Sequence, residues 1–119
     1  MRVAITGAAG TIGKQLIQEL SPDHNLCLID KVRVPGRNTT IADLGQYRRR
    51  SCFKPWAKER LPRWIDVLNG VDVVIHLAAE TQPLAPFHKV VHNNMKATWN
   101  IIEAAATHHV PRVLNLEHY

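Results

Sequence analysis

The sequence predicts an α/β fold, a parallel sheet layered with helices, and three observations carry that expectation. Short β-branched runs alternate with longer stretches of helical spacing along the 119 residues, the order that makes strands joined by crossover helices. Gly7, Gly10 and Gly13 stand between the first such run and the first helical stretch. Length and composition then bound the architecture. A chain of this size forms one domain with a real core, and 45% hydrophobic against 21% charged residues excludes wholesale disorder.

Arg2 to Thr6 reads as a short buried strand, with Val3 and Ile5 β-branched. Thr11 to Leu20 shows helical spacing through Ile12, Leu16, Ile17 and Leu20, and Ser21-Pro22-Asp23 ends it. Asn25 to Asp30 is a second buried strand ending in an acid, and Asn38 to Ile41 a short third one. Trp64 to Leu68 predicts a helical turn that stops at Asn69-Gly70. Asp72 to Leu77 is the most hydrophobic run and reads as a central strand. A long helix is expected from about Phe87 to His108, with Val91, Met95, Thr98, Ile102 and Ala105 on its buried stripe. Pro111 closes that helix, and Arg112 to Leu116 is a last strand.

The basic balance belongs to one stretch. Residues 47–63 hold seven basic side chains and one acid, a charge of +6, whereas the other eight basic and nine acidic residues sum to −1. A uniformly basic nucleic-acid binder is therefore not expected. Phe53, Trp56 and Trp64 within and beside that stretch give it the composition of a single-strand platform, but the simpler reading is a solvated insertion whose tryptophans pack on the flank of the domain. No apolar run approaches the ~18 residues of a membrane span, and the chain does not open like a secretory signal. Cys27 and Cys52 make no metal or disulfide framework, and Cys27 lies in a strand-like run as a core residue. A soluble cytoplasmic protein in a reducing compartment is expected.

Three sets of residues invite chemistry. Gly7, Gly10 and Gly13 lie in the strand–turn–helix setting of a dinucleotide fingerprint, with spacing G-x-x-G-x-x-G. Glycine permits the tight turn and a close backbone approach to a pyrophosphate, and the helix start at Thr11, Ile12 and Gly13 offers N–H groups to it. Asp30 closes the second strand 17 residues after Gly13, near the distance of the acid that binds a ribose hydroxyl pair. A carboxylate there favours NAD over NADP, and the adjacent Lys31 and Arg33 soften that preference. His88 and His92 share a helix face without an evident third ligand, so no metal is expected. His76 reads as a buried histidine bonded to the backbone of a neighbouring layer, and His108-His109 suit the negative end of a helix.

With these motifs in place, the chain resembles the extended short-chain dehydrogenase/reductase superfamily, which includes the NAD-dependent epimerases and dehydratases of nucleotide sugars. Residues 6–13 (TGAAGTIG) match its T-G-x-x-G-x-x-G, and Asp43-Leu44 match its adenine-contacting pair. Residues 70–79 (GVDVVIHLAA) match its fourth strand and the turn whose backbone lines the cofactor, through Leu77, Ala78 and Ala79. Residues 94–105 (NMKATWNIIEAA) match its long helix, whose first asparagine, here Asn94, approaches the nicotinamide side. Asn93-Asn94 and Ala97 are closest to the uronate dehydrogenase-like branch. The resemblance implies a Rossmann-type three-layer sheet of order 3-2-1-4-5, truncated after the fifth strand, with NAD bound at the carboxyl ends of the first and fourth strands.

The family places a serine after the fifth strand and a Tyr-x-x-x-Lys pair on the next helix. Here that strand runs into Leu116-Glu117-His118-Tyr119, and Tyr119 has no lysine four residues on. The expectation is thus a cofactor-binding part, residues 1–119, with no catalytic residues of its own and without the substrate domain. The alternatives are a non-catalytic regulatory or interaction fragment and, less favoured, a nucleic-acid binder through residues 47–63. An unpaired fifth strand leads to a homodimer as the expected assembly.

Overall fold

The computed structural model describes residues 1–46, 63–77 and 91–115. Five strands form one parallel sheet: β1 (Arg2–Thr6), β2 (Asn25–Asp30), β3 (Thr39–Ile41), β4 (Val73–His76) and β5 (Arg112–Asn115). Their order is β3-β2-β1-β4-β5. β1 is central and pairs Thr6 with Ile29 on one side and with His76 on the other. The chain passes from β1 outwards through β2 to β3, then returns to the opposite side of β1 with β4. That reversal leaves a crevice at the carboxyl ends of β1 and β4, the place where open α/β sheets take ligands.

Alternation along the strands divides the core between the two faces. Val3, Ile5, Leu28 and Ile75 pack with Ile17 of α1 (Thr11–Leu20) on one face. Ala4, Ile29 and Val74 pack on the other with Trp64 and Ile65 of α2 (Arg63–Asp66) and with Ile101, Ala104 and Ala105 of α3 (Ala97–Thr107). Each layer alone would expose an apolar face, so the sheet is stable only between both helical layers. Cys27 is half-buried against the second cluster and accepts a hydrogen bond from Arg2 Nε at 3.2 Å.

The expected elements recur at nearly their predicted bounds, with one correction. The long helix begins, within the described residues, as a π-helical turn over Val91–Lys96 before α3. Its buried stripe is Ala97, Asn100, Ile101, Ala104 and Ala105, so Met95 and Ile102 point outwards rather than into the core. Trp99 is exposed as well, and with apolar groups on both flanks of the helix, periodicity alone could not choose the face. Trp64 packs on the domain, as the simpler reading of the basic stretch expects, and does so as a core residue. Residues 47–62 of the basic stretch lie outside the described residues, as do His88 and the start of the predicted long helix. Among the described residues no helix is long and apolar enough to cross a membrane.

Candidate functional site

The glycine turn grows directly out of β1. Gly7 N–H continues the ladder to Ile29 O at 3.0 Å, and Gly7 then turns left-handed with φ 68°, a conformation that glycine adopts without steric cost. Gly10 N–H closes the turn on Gly7 O at 3.1 Å, and α1 starts at Thr11. No side chain caps α1 and no acid sits in its first turn. The N–H groups of that turn have no intrahelical partner and lie at the positive end of the helix. Thr11 and Ile12 are exposed there, whereas Gly13 is buried.

Gly10 and Gly13 differ in what surrounds them. A Cβ on Gly13 would stand 2.6 Å from Gly7 O and 2.7 Å from Ala8 O, so α1 can dock on the turn only through glycine. Among the described residues, a Cβ on Gly10 would meet nothing nearer than Gly7 O at 3.4 Å, and its φ of −74° suits any residue. Packing among the described residues does not demand glycine at position 10. Gly10 is exposed, which is what a phosphate group approaching the backbone would need.

Asp30 is brought to this turn. Its Oδ2 accepts Ala9 N–H at 2.8 Å and its Oδ1 accepts Lys31 N–H at 2.6 Å. Each oxygen keeps lone-pair capacity for a further donor, so a pair of ribose hydroxyls could still be received. The residues present therefore fit a dinucleotide: glycine backbone and helix N-terminus for its phosphates, one fixed carboxylate for its ribose. Lys31 is exposed beside that carboxylate.

Asp43 is half-buried after β3, and its Oδ1 accepts Gly45 N–H at 3.1 Å, which shapes the 3-10 turn Leu44–Gln46. Leu44 is buried in the core, so its side chain anchors this turn while Asp43 stays nearer the surface. Leu77 is half-buried, and its N–H donates to Thr6 O at 3.2 Å and Thr6 Oγ1 at 3.0 Å. Asn94 is half-buried in the π-helical turn. Ala78 and Ala79 lie outside the described residues.

At two polar positions the structure shows partners that the sequence reading did not assign. Asn100 is buried on α3 and donates from Nδ2 to Leu44 O at 2.6 Å, tying the helix to the Asp43 turn. An asparagine within the apolar stripe of Ala97, Ile101 and Ala104 was the available signal. His76 was expected to bond backbone, and instead its ring lies between two hydroxyls: Nδ1 is 2.7 Å from Thr6 Oγ1 and Nε2 is 3.1 Å from Thr98 Oγ1. Burial pushes this imidazole down from 6.5 to about 4, so it is neutral near pH 7.

The profile of the NAD dependent epimerase/dehydratase family matches residues 3–117. The chain belongs to that family. An L-arabinose 1-dehydrogenase (NAD(P)(+)) of Haloferax volcanii is 29% identical over 113 residues, which are 95% of this chain and 39% of that protein. Among solved structures, MoeE5 in complex with UDP-glucuronic acid and NAD superposes with a TM-score of 0.74 at 26% identity, over 97% of this chain and 36% of that one. A mutated uronate dehydrogenase gives a TM-score of 0.73 at 25% identity, covering 96% and 38%. The chain thus spans well under half the length of these epimerase/dehydratase relatives, and its five-stranded sheet corresponds to the N-terminal, NAD-binding portion of the family.

Proposed function

We propose that this chain is the NAD-holding part of an NAD-dependent sugar dehydrogenase, epimerase or dehydratase. The observation that carries the reading is the meeting of the glycine turn with Asp30: Ala9 N–H on the carboxylate, beside an exposed Gly10. In this reading Gly7, Gly10, Thr11, Ile12 and Gly13 receive the pyrophosphate, and Asp30, with Lys31 beside it, the adenosine ribose. Asp43, on the turn that Leu44 anchors, borders the adenine; the family motif would set the backbone of Leu77, Ala78 and Ala79 along the cofactor and Asn94 on its nicotinamide side. The bound nicotinamide would supply a hydride acceptor. The matched relatives named for dehydrogenase chemistry on arabinose and uronates support a sugar-class substrate.

The 119 residues contain no Tyr-x-x-x-Lys pair, and a positioned general acid/base contributes roughly 10²–10⁴-fold to rate. On their own they bind cofactor without turning over sugar nucleotides or uronates. A cytoplasmic setting agrees with the free, half-buried thiol of Cys27, and a homodimer is the assembly proposed for the 119-residue chain.

Titration calorimetry with NAD and NADP tests the reading. A 2′-phosphate would face the Asp30 carboxylate, so NAD should bind the tighter, and Asp30→Ala should narrow the gap. Equal affinity for both in the parent chain overturns the Asp30 assignment, and no binding of either overturns the reading.

A further inference from the structure

Among the described residues His76 is the one buried titratable side chain, at 2% exposure, and no role in holding cofactor falls to it. Its place in the fold is specific. Thr6 and His76 are register partners at the carboxyl ends of β1 and β4, on the face covered by α3. The imidazole bridges that pair to Thr98, the second residue of α3, and Thr6 Oγ1 in turn accepts Leu77 N–H. A neutral ring has one donor and one acceptor nitrogen, so it can serve both hydroxyls at once. A buried polar chain costs more desolvation than an aliphatic side chain of the same volume, so packing alone does not account for it.

Each end of this chain adjoins the crevice. Thr6 immediately precedes Gly7, Leu77 immediately follows His76, and Asn94 lies about one helical turn before Thr98. A helix that returns across a parallel sheet runs antiparallel to the strands. Asn94 therefore lies about one turn beyond Thr98, towards the carboxyl ends of β1 and β4.

We propose that His76 is a positioning residue: through Thr6 and Thr98 it ties the ends of β1 and β4 to the start of α3 and so fixes the spacing between the glycine turn and the Asn94 side of the crevice. The proposal rests on the dinucleotide reading above. Fully satisfied buried networks rigidify what they join, and here the joined parts are the two walls between which one ligand must fit.

The test uses Thr98, which can lose its hydroxyl without losing volume. NAD affinity of the 119-residue chain is measured by calorimetry for the parent, Thr98→Val and Thr98→Ser, with unfolding curves showing that all three are folded at the titration temperature. Thr98→Val should weaken NAD about fivefold, the equivalent of one hydrogen bond, and Thr98→Ser should restore the parent affinity. Without ligand, amide exchange at Leu77 should quicken in Thr98→Val and return in Thr98→Ser. A parent that binds NAD while Thr98→Val binds it equally well overturns the positioning role alone. A parent that takes no NAD overturns the dinucleotide reading, and the positioning role with it.

Discussion

Gly10 and Gly13 are three residues apart but differently constrained, so folding and the proposed cofactor binding can be tested at single positions. Gly13→Ala would drive a methyl group to 2.6 Å from Gly7 O, and overpacking of this kind costs about 1–3 kcal/mol. A lower urea midpoint is expected, with looser NAD binding as its consequence. Gly10→Ala meets, among the described residues, only a 3.4 Å contact, so its midpoint should stay near the parent's while NAD affinity falls at least tenfold, about 1.4 kcal/mol. Unchanged affinity in a folded Gly10→Ala would count against the pyrophosphate at this turn. His76 gives a pH signature at the same scale. Burial holds its folded pKa near 4 against 6.5 when exposed, so unfolding takes up a proton between those values. Its contribution is complete above pH 6.5, declines as pH falls through the window, and is gone below about pH 4. The total loss is about 3 kcal/mol. Urea midpoints from pH 7 to pH 4 should fall more steeply in the parent than in His76→Gln, and parallel curves would mean that the ring is not held neutral.

The elements show what sequence could and could not specify. β1, α1 and β2 were legible to the residue because buried parallel strands are continuous apolar runs and the glycines mark the turn between them. Asp30 was legible for the same reason, as an acid closing such a run. The facing of α3 was not, since Met95, Trp99 and Ile102 are as apolar as the Ala97, Ile101 and Ala104 side that packs. The π-helical turn at Val91–Lys96 also shifts the register at its start. Partners of polar groups were equally hidden: nothing local says that Asn100 reaches Leu44, 56 positions away. Asn100→Ala should therefore cost about 1 kcal/mol, the loss of one buried hydrogen bond. It should also quicken amide exchange at Gly45, whose N–H rests on Asp43. A stability loss confined to α3, with Gly45 exchange unchanged, would separate the helix from the Asp43 turn.

At the scale of the whole molecule, the two edges of the sheet differ. β3 is three residues long with Ile41 exposed at its end, and a very short edge offers little to a pairing strand. β5 is the other edge among the described residues and pairs there only with β4, from Val73↔Arg112 to His76↔Asn115. Val113 packs into the core on the α3 side. Leu114 lies on the opposite face, where α1 covers β1 and β2, and is 49% exposed. An apolar edge strand with open backbone groups recruits another strand or frays. For the 119-residue chain we expect concentration-dependent association, dimers first, in sedimentation velocity. Leu114→Lys puts a charge on that edge without touching the glycine turn or Asp30. It should shift the chain towards monomer while leaving NAD affinity at the parent value. Sedimentation as a monomer at high concentration, with strong amide protection at residues 113–115, would show that β5 is already covered within one copy, and the homodimer would fall.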